Sequence, residues 1–130
     1  MARVMIVEDD ADLLRLLAIR LRKAGHDVVE EADSSIALDL MRLDRPDAVI
    51  LDWMMPLLSG VELSRQIRQE PGLERVPVLM LTAKSSAEDA EEAQRAGVDA
   101  FLSKPCSAAE LLHRLEAVIE AKARLRDFSA

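Results

Sequence analysis

Ala48-Val-Ile-Leu-Asp-Trp-Met-Met-Pro-Leu-Leu-Ser-Gly60 is the stretch that decides the fold. Its first four residues are apolar without interruption, and the run stops at a carboxylate, Asp52, ahead of a proline-containing turn. A short apolar run bounded in this way reads as a strand buried on both faces, because a strand with one wet face alternates polar and apolar residues. The same plan recurs along the chain. Arg3-Val-Met-Ile-Val7 stops at Glu8, Asp9 and Asp10, and Val78-Leu-Met-Leu81 stops at Thr82. Ala100-Phe-Leu102 stops ahead of Ser103-Lys104-Pro105, while Asp27-Val-Val-Glu30 forms a shorter, weaker strand.

Helical stretches fill the gaps. Leu13, Leu17 and Leu21 recur four apart on one face, and Gly25 is placed to end that helix. Ile36, Leu40 and Leu43 predict the buried face of a second helix over Ser34 to Leu43, stopped before Pro46. Ser59 and Glu62 stand in capping-box spacing at the head of a third helix, which Pro71-Gly72 closes. An acidic, alanine-rich helix runs from Ser85 to Ala96 and is closed by Gly97. The last begins at Ser107 and carries Leu111, Leu115, Val118 and Leu125. Strand and helix thus alternate five times, which predicts an α/β fold: right-handed crossovers, a parallel sheet and helices on both faces. The pattern alone leaves the strand order open.

Composition narrows the function. At 130 residues, half of them apolar, the chain suits one globular domain with a sizeable core. No apolar run approaches the roughly 18 residues of a membrane span, and MARVMIVEDD has no signal-peptide plan, so no membrane is expected. A single cysteine, Cys106, forms no internal disulfide and fits a reduced, cytoplasmic setting. The net charge of −7 argues against direct nucleic-acid binding, which draws its affinity from lysine and arginine on phosphates.

In an open parallel sheet, ligands bind beyond the carboxyl ends of the strands. Four of the strands deliver chemistry to that edge: Glu8, Asp9 and Asp10 from the first, then Asp52, Thr82 and Lys104. One at a time these have plainer explanations, Asp10 as a helix cap, Thr82 as a turn residue and Lys104 as a solvated lysine. Together they make a phosphoryl site. Clustered carboxylate oxygens suit Mg²⁺; an ammonium and a hydroxyl suit phosphoryl oxygens; and phosphoryl transfer asks mostly for positioning and charge neutralisation. Asp52, isolated at its own strand end between Leu51 and Trp53, is the expected nucleophile.

The motifs Ile6-Val-Glu-Asp-Asp10, Ile50-Leu-Asp-Trp-Met-Met-Pro56 with Ser59-Gly60, Leu81-Thr-Ala83 and Ser103-Lys-Pro105 resemble those of the receiver domain of two-component response regulators. The resemblance covers Arg3 to about Ala121, so residues 1–121 are expected to form the domain and 122–130 a tail or the start of a linker. It implies a flavodoxin-like, doubly wound sheet in the order 2-1-3-4-5 flanked by five helices. Asp52 would accept a phosphoryl group from a histidine of a sensor kinase or phosphotransfer protein. Mg²⁺ would be held by Asp9, Asp52 and the backbone carbonyl of Met54, with Glu8 acting through metal-bound water. Thr82, Ala83 and Lys104 would surround the phosphoryl group, Phe101 would be the switching aromatic, and the Lys104–Pro105 bond would be cis. Phosphorylation would reshape the surface of the fourth helix, fifth strand and fifth helix, read by a downstream protein or by an effector domain C-terminal to the receiver. The chain would then be a switch rather than a turnover catalyst.

Phe101 stands where the family often has tyrosine, so a readout needing that hydroxyl is not expected. An apolar Met54 two residues after Asp52 cannot orient an attacking water, which predicts slow self-dephosphorylation. Met54 also opposes a rival reading, a phosphatase of the haloacid-dehalogenase type, which needs an acid there. A flavin-binding electron carrier would need a Ser/Thr/Gly-rich loop after the first strand, and a degenerate receiver would lack some of these residues. Lys84 and His26 read as solvated surface residues, His113 as structural or exposed, and Cys106 as a small hydrophobe.

Overall fold

The computed structural model describes residues 1–129, with side chains described through Leu125. Five parallel strands, β1 (Arg3–Val7), β2 (Asp27–Glu31), β3 (Ala48–Leu51), β4 (Val78–Thr82) and β5 (Ala100–Ser103), form one sheet in the order β2-β1-β3-β4-β5. The helices alternate with them: α1 (Ala11–Lys23), α2 (Ser34–Leu43), α3 (Gly60–Gln69), α4 (Ala87–Arg95) and α5 (Ala108–Ser129).

The central strands β1, β3 and β4 are buried on both faces, as their unbroken apolar runs require. Side-chain alternation splits the core into two layers. Met5, Val7, Val49, Leu51, Val78 and Met80 face one way, against Met41 of α2, Leu63 and Ile67 of α3 and Ala93 of α4. Val4, Ile6, Ala48, Ile50, Leu79 and Leu81 face the other, against Leu17 and Leu21 of α1 and Leu111 and Leu115 of α5. Burying a leucine or isoleucine is worth about 1.5–3 kcal/mol each, so this double core is what holds the functional edge in register.

Local signals set the helix ends. The Asp10 carboxylate accepts from Asp12 N–H and Leu13 N–H, Ser59 and Glu62 form the expected capping box, and Gly25 sits at φ 96° beyond α1. A second capping box, Ser86 with Asp89, starts α4.

Three expectations need correction. The buried face of α2 is Ser34, Ala37 and Met41, while Ile36 and Leu43 are exposed and Leu40 only half-buried. Ser34, Ala37 and Met41 recur at helical spacing on the inward face, and a count of leucines and isoleucines misses the two small residues. His26 is buried rather than solvated: its Nδ1 accepts from Ala2 N–H at 3.1 Å, and Nε2 lies 3.6 Å from Glu116 Oε2. In α5, Leu111 and Leu115 are core residues, whereas Leu125 is exposed on a helix that continues to Ser129. Of the expected tail, residue 130 lies outside the described residues. No helix is long and apolar enough to cross a membrane among the described residues.

Candidate phosphoryl-transfer site

The sheet order brings β1, β3, β4 and β5 side by side, so their carboxyl ends share one edge. Asp52 continues the ladder by donating its N–H to the Val7 carbonyl at 3.1 Å, which sets it beside Glu8. Lys104 N–H donates to the Thr82 carbonyl at 2.7 Å across β4 and β5. From there the Lys104 side chain spans the edge. Its Nζ lies 2.9 Å from Glu8 Oε1 and 3.2 Å from Asp52 Oδ2.

Glu8, Asp52 and Thr82 are all buried, while Asp9 is exposed at the rim. Carboxylate oxygens of Glu8, Asp9 and Asp52 lie within 4.8 Å of one another. Three acids facing one lysine leave net negative charge in a confined place. Burial pushes the Glu8 carboxyl from 4.5 up to about 7, helped by the Asp52 charge and opposed by the hydrogen bonds from Lys104 and from Asp10 N–H. Burial pulls the Lys104 ammonium the other way, but its hydrogen bonds and charge partners Glu8 and Asp52 outweigh that, raising its pKa and keeping it charged. Hard oxygen donors, confined and short of positive charge, fit a divalent cation such as Mg²⁺.

The Thr82 hydroxyl oxygen accepts from Lys84 N–H at 3.2 Å, and Ala83 is exposed beside it. Phe101 is half-buried and meets Trp53 edge-on, with ring centroids 6.3 Å apart and an interplanar angle of 88°. Lys84 is not solvated as expected. Its Nζ sits 4.6 Å from the Trp53 ring centroid and 3.6 Å from Asp89 Oδ1. The Lys104–Pro105 bond is cis, and Cys106 packs half-buried against the α1–α5 core layer. The Met54 side chain is 62% exposed. The edge therefore assembles Glu8, Asp9, Asp52 and Lys104 directly, with Thr82 at the next strand end and Phe101 joined through Trp53.

Residues 4–116 match the family model of the response regulator receiver domain. The chain belongs to that family. Receiver domains accept a phosphoryl group on an aspartate as part of two-component signalling. This receiver domain is 34% identical over 116 residues to the phosphate regulon regulator PhoB of Pseudomonas aeruginosa, covering 89% of this chain and 51% of that protein. It thus spans about half the length of that regulator. It is 35% identical over 119 residues to the chemotaxis protein CheY-3 of Vibrio cholerae, covering 91% of this chain and 92% of that one. The receiver domain of the sensor histidine kinase PA1611 of Pseudomonas aeruginosa, solved with a magnesium ion coordinated in its active-site cleft, aligns with a TM-score of 0.84 at 32% identity. That alignment covers 92% of this receiver domain and 98% of PA1611's.

Two contributions to this edge had no role assigned from the sequence, although Gly60 stands in the Ser59-Gly60 motif. Gly60 presses its backbone onto the Asp52 carbonyl, which shows only once α3 is docked. Ser34 reaches the β3–α3 loop from α2, a contact between residues 22 and 24 positions apart.

Proposed function

We propose that Asp52 is the phosphoacceptor of this receiver domain and that phosphorylation there is its signalling event. The reading rests chiefly on one observation: the buried Asp52 carboxylate lies 3.2 Å from Lys104 Nζ and shares its pocket with Glu8 and Asp9. One Asp52 oxygen attacks the phosphorus of a phosphohistidine. The P–O bond forms as the P–N bond breaks, and the electron pair leaves with the imidazole. Lys104, held protonated, neutralises charge on the phosphoryl oxygens, and the Thr82 hydroxyl donates its proton to one of them. Glu8, Asp9, Asp52 and the Met54 carbonyl would hold Mg²⁺, which when bound offsets the negative charge that carboxylates and phosphoryl group bring together.

Movement of Thr82 toward the phosphoryl group releases Lys84 N–H and frees space for Phe101, which links the site to β5 and the neighbouring α4 and α5 surfaces. The donor is a sensor histidine kinase or a histidine phosphotransfer protein, and the reader is a downstream protein or an effector domain. The domain acts as a switch. An exposed thioether at Met54 offers no group to orient water, so the phosphorylated state outlasts seconds; loss of the phosphoryl group within seconds would contradict this.

Trp53, adjacent to Asp52, provides the test. Mg²⁺ followed by acetyl phosphate is expected to change its fluorescence, and the acetyl phosphate step is expected to vanish in Asp52→Asn. A full response in that variant refutes the assignment.

A further inference from the structure

The loop between β3 and α3 makes a tight reversal at Leu57. Leu58 N–H donates to the Pro56 carbonyl at 2.8 Å, two residues back, while Leu57 sits at φ 71° and 86% exposed. This is a γ-turn of the rare, strained kind, and a β-carbon at that φ adds to its cost. Leu57 buries too little to compensate. Strained backbone persists only where its surroundings hold it.

Inside the β3–α3 unit the loop is held by Gly60 N–H on the Trp53 carbonyl at 2.9 Å and by the Ser59–Glu62 capping box. Ser34 supplies side-chain hydrogen bonds that reach the turn at residues 56–58 from another element. Its hydroxyl, buried at the first turn of α2, lies 2.7 Å from the Leu58 carbonyl oxygen and 3.2 Å from that of Pro56. A hydroxyl carries one proton, so the shorter contact is the main bond and the longer one shares it. Both carbonyls of the turn are thus pinned by one side chain rooted in a different helix.

We infer that Ser34 is a positioning residue for the metal site: by pinning the strained turn it fixes the loop that carries the Met54 carbonyl past Asp52. This rests on the proposed role of Met54 and Asp52 as Mg²⁺ ligands. Ser34 itself touches none of the reacting groups. Without its hydroxyl the Leu58 carbonyl loses its donor and the turn relaxes, carrying the Met54 carbonyl with it. Ordering that carbonyl then becomes a cost of binding.

The test is calorimetric titration of the full chain with Mg²⁺, set beside denaturant unfolding. Ser64 is the matched control, because its buried hydroxyl makes the same kind of bond, 2.8 Å to the Ala96 carbonyl, away from the site. Ser34→Ala is expected to bind Mg²⁺ about fivefold to tenfold more weakly than wild type. Ser64→Ala is expected to lose comparable stability with unchanged Mg²⁺ affinity. Ser34→Cys keeps the side-chain connectivity with a larger, weakly donating thiol and should fall between, which preserves the test if Ser34→Ala fails to fold. Ser34 variants that bind Mg²⁺ as tightly as Ser64→Ala overturn the inference. Wild-type protein that does not bind Mg²⁺ overturns instead the metal site on which it rests, so the two failures are told apart.

Discussion

Gly60 is the residue whose replacement should reveal most about how the site is built. Its backbone N–H donates to the Trp53 carbonyl, and the first turn of α3 lies against Asp52. A β-carbon added there would meet the Asp52 carbonyl carbon at 2.9 Å and Met80 Cε at 3.0 Å, with the Asp52 carbonyl oxygen closer still. The methionine end can swing away; the Asp52 backbone cannot. Carbon atoms pack best near ~3.5–4.0 Å, so α3 and the end of β3 must part by about 1 Å. Overpacking of this size costs about 1–3 kcal/mol, and backbone on both sides places Gly60→Ala toward the upper end. Displacing the proposed phosphoacceptor carboxylate by ~1 Å would cost about 100-fold in rate. Gly60→Ala should therefore unfold at lower urea concentration, by about 2–3 kcal/mol, and accept phosphate from acetyl phosphate about 100-fold more slowly. Stability within ~0.5 kcal/mol of wild type, with unaltered phosphorylation, would refute the close-approach argument.

Other consequences are open to direct measurement. Leu57→Gly removes a left-handed penalty of about 1–2 kcal/mol and adds about 0.5–1 kcal/mol of chain entropy; denaturant unfolding should show a net gain near ~0.5 kcal/mol, and a clear loss contradicts it. Arg68, mostly buried, donates to the Gly97 and Val76 carbonyls and pairs with Asp99 at 2.8 Å. Arg68→Lys cannot reproduce that fork, so it should cost about 2 kcal/mol in the same assay. For Glu8 the sign follows from a folded-state pKa raised from 4.5 to about 7: the folded chain binds this proton more tightly than the unfolded one. In chelator, wild type should gain stability relative to Glu8→Gln as pH falls from above 7 toward 4.5, and a difference that shrinks over that window contradicts the assignment.

Much of the fold was legible because each central strand is a short apolar run that ends in one chemically distinct residue. Glu8, Asp52, Thr82 and Lys104 could be placed at one edge from that pattern and parallel alternation. The order 2-1-3-4-5 came from the resemblance, since neighbouring strands leave no local mark of which partner they choose. The α2 face was misread because its inward stripe of Ser34, Ala37 and Met41 includes two small residues, while Ile36 and Leu43 lie off it and exposed. His26 was misread because nothing near it in sequence announces Ala2 N–H and Glu116 as its neighbours. Lys84 looked solvated until the fold set Trp53 beneath it. The role of Ser34, and that of Gly60 beyond its place in a motif, were not legible for the same reason: their partners lie on other elements, and a hydroxyl or a missing side chain carries no pattern of its own.

The most direct test of the account is to locate the phosphoryl group. After incubation with Mg²⁺ and acetyl phosphate, intact-mass and peptide mass spectrometry should find one added phosphoryl group, on the peptide containing Asp52. It should be absent without Mg²⁺ and absent in Asp52→Asn. A phosphoryl group on another residue of the wild type, or undiminished labelling of Asp52→Asn, would contradict the central claim.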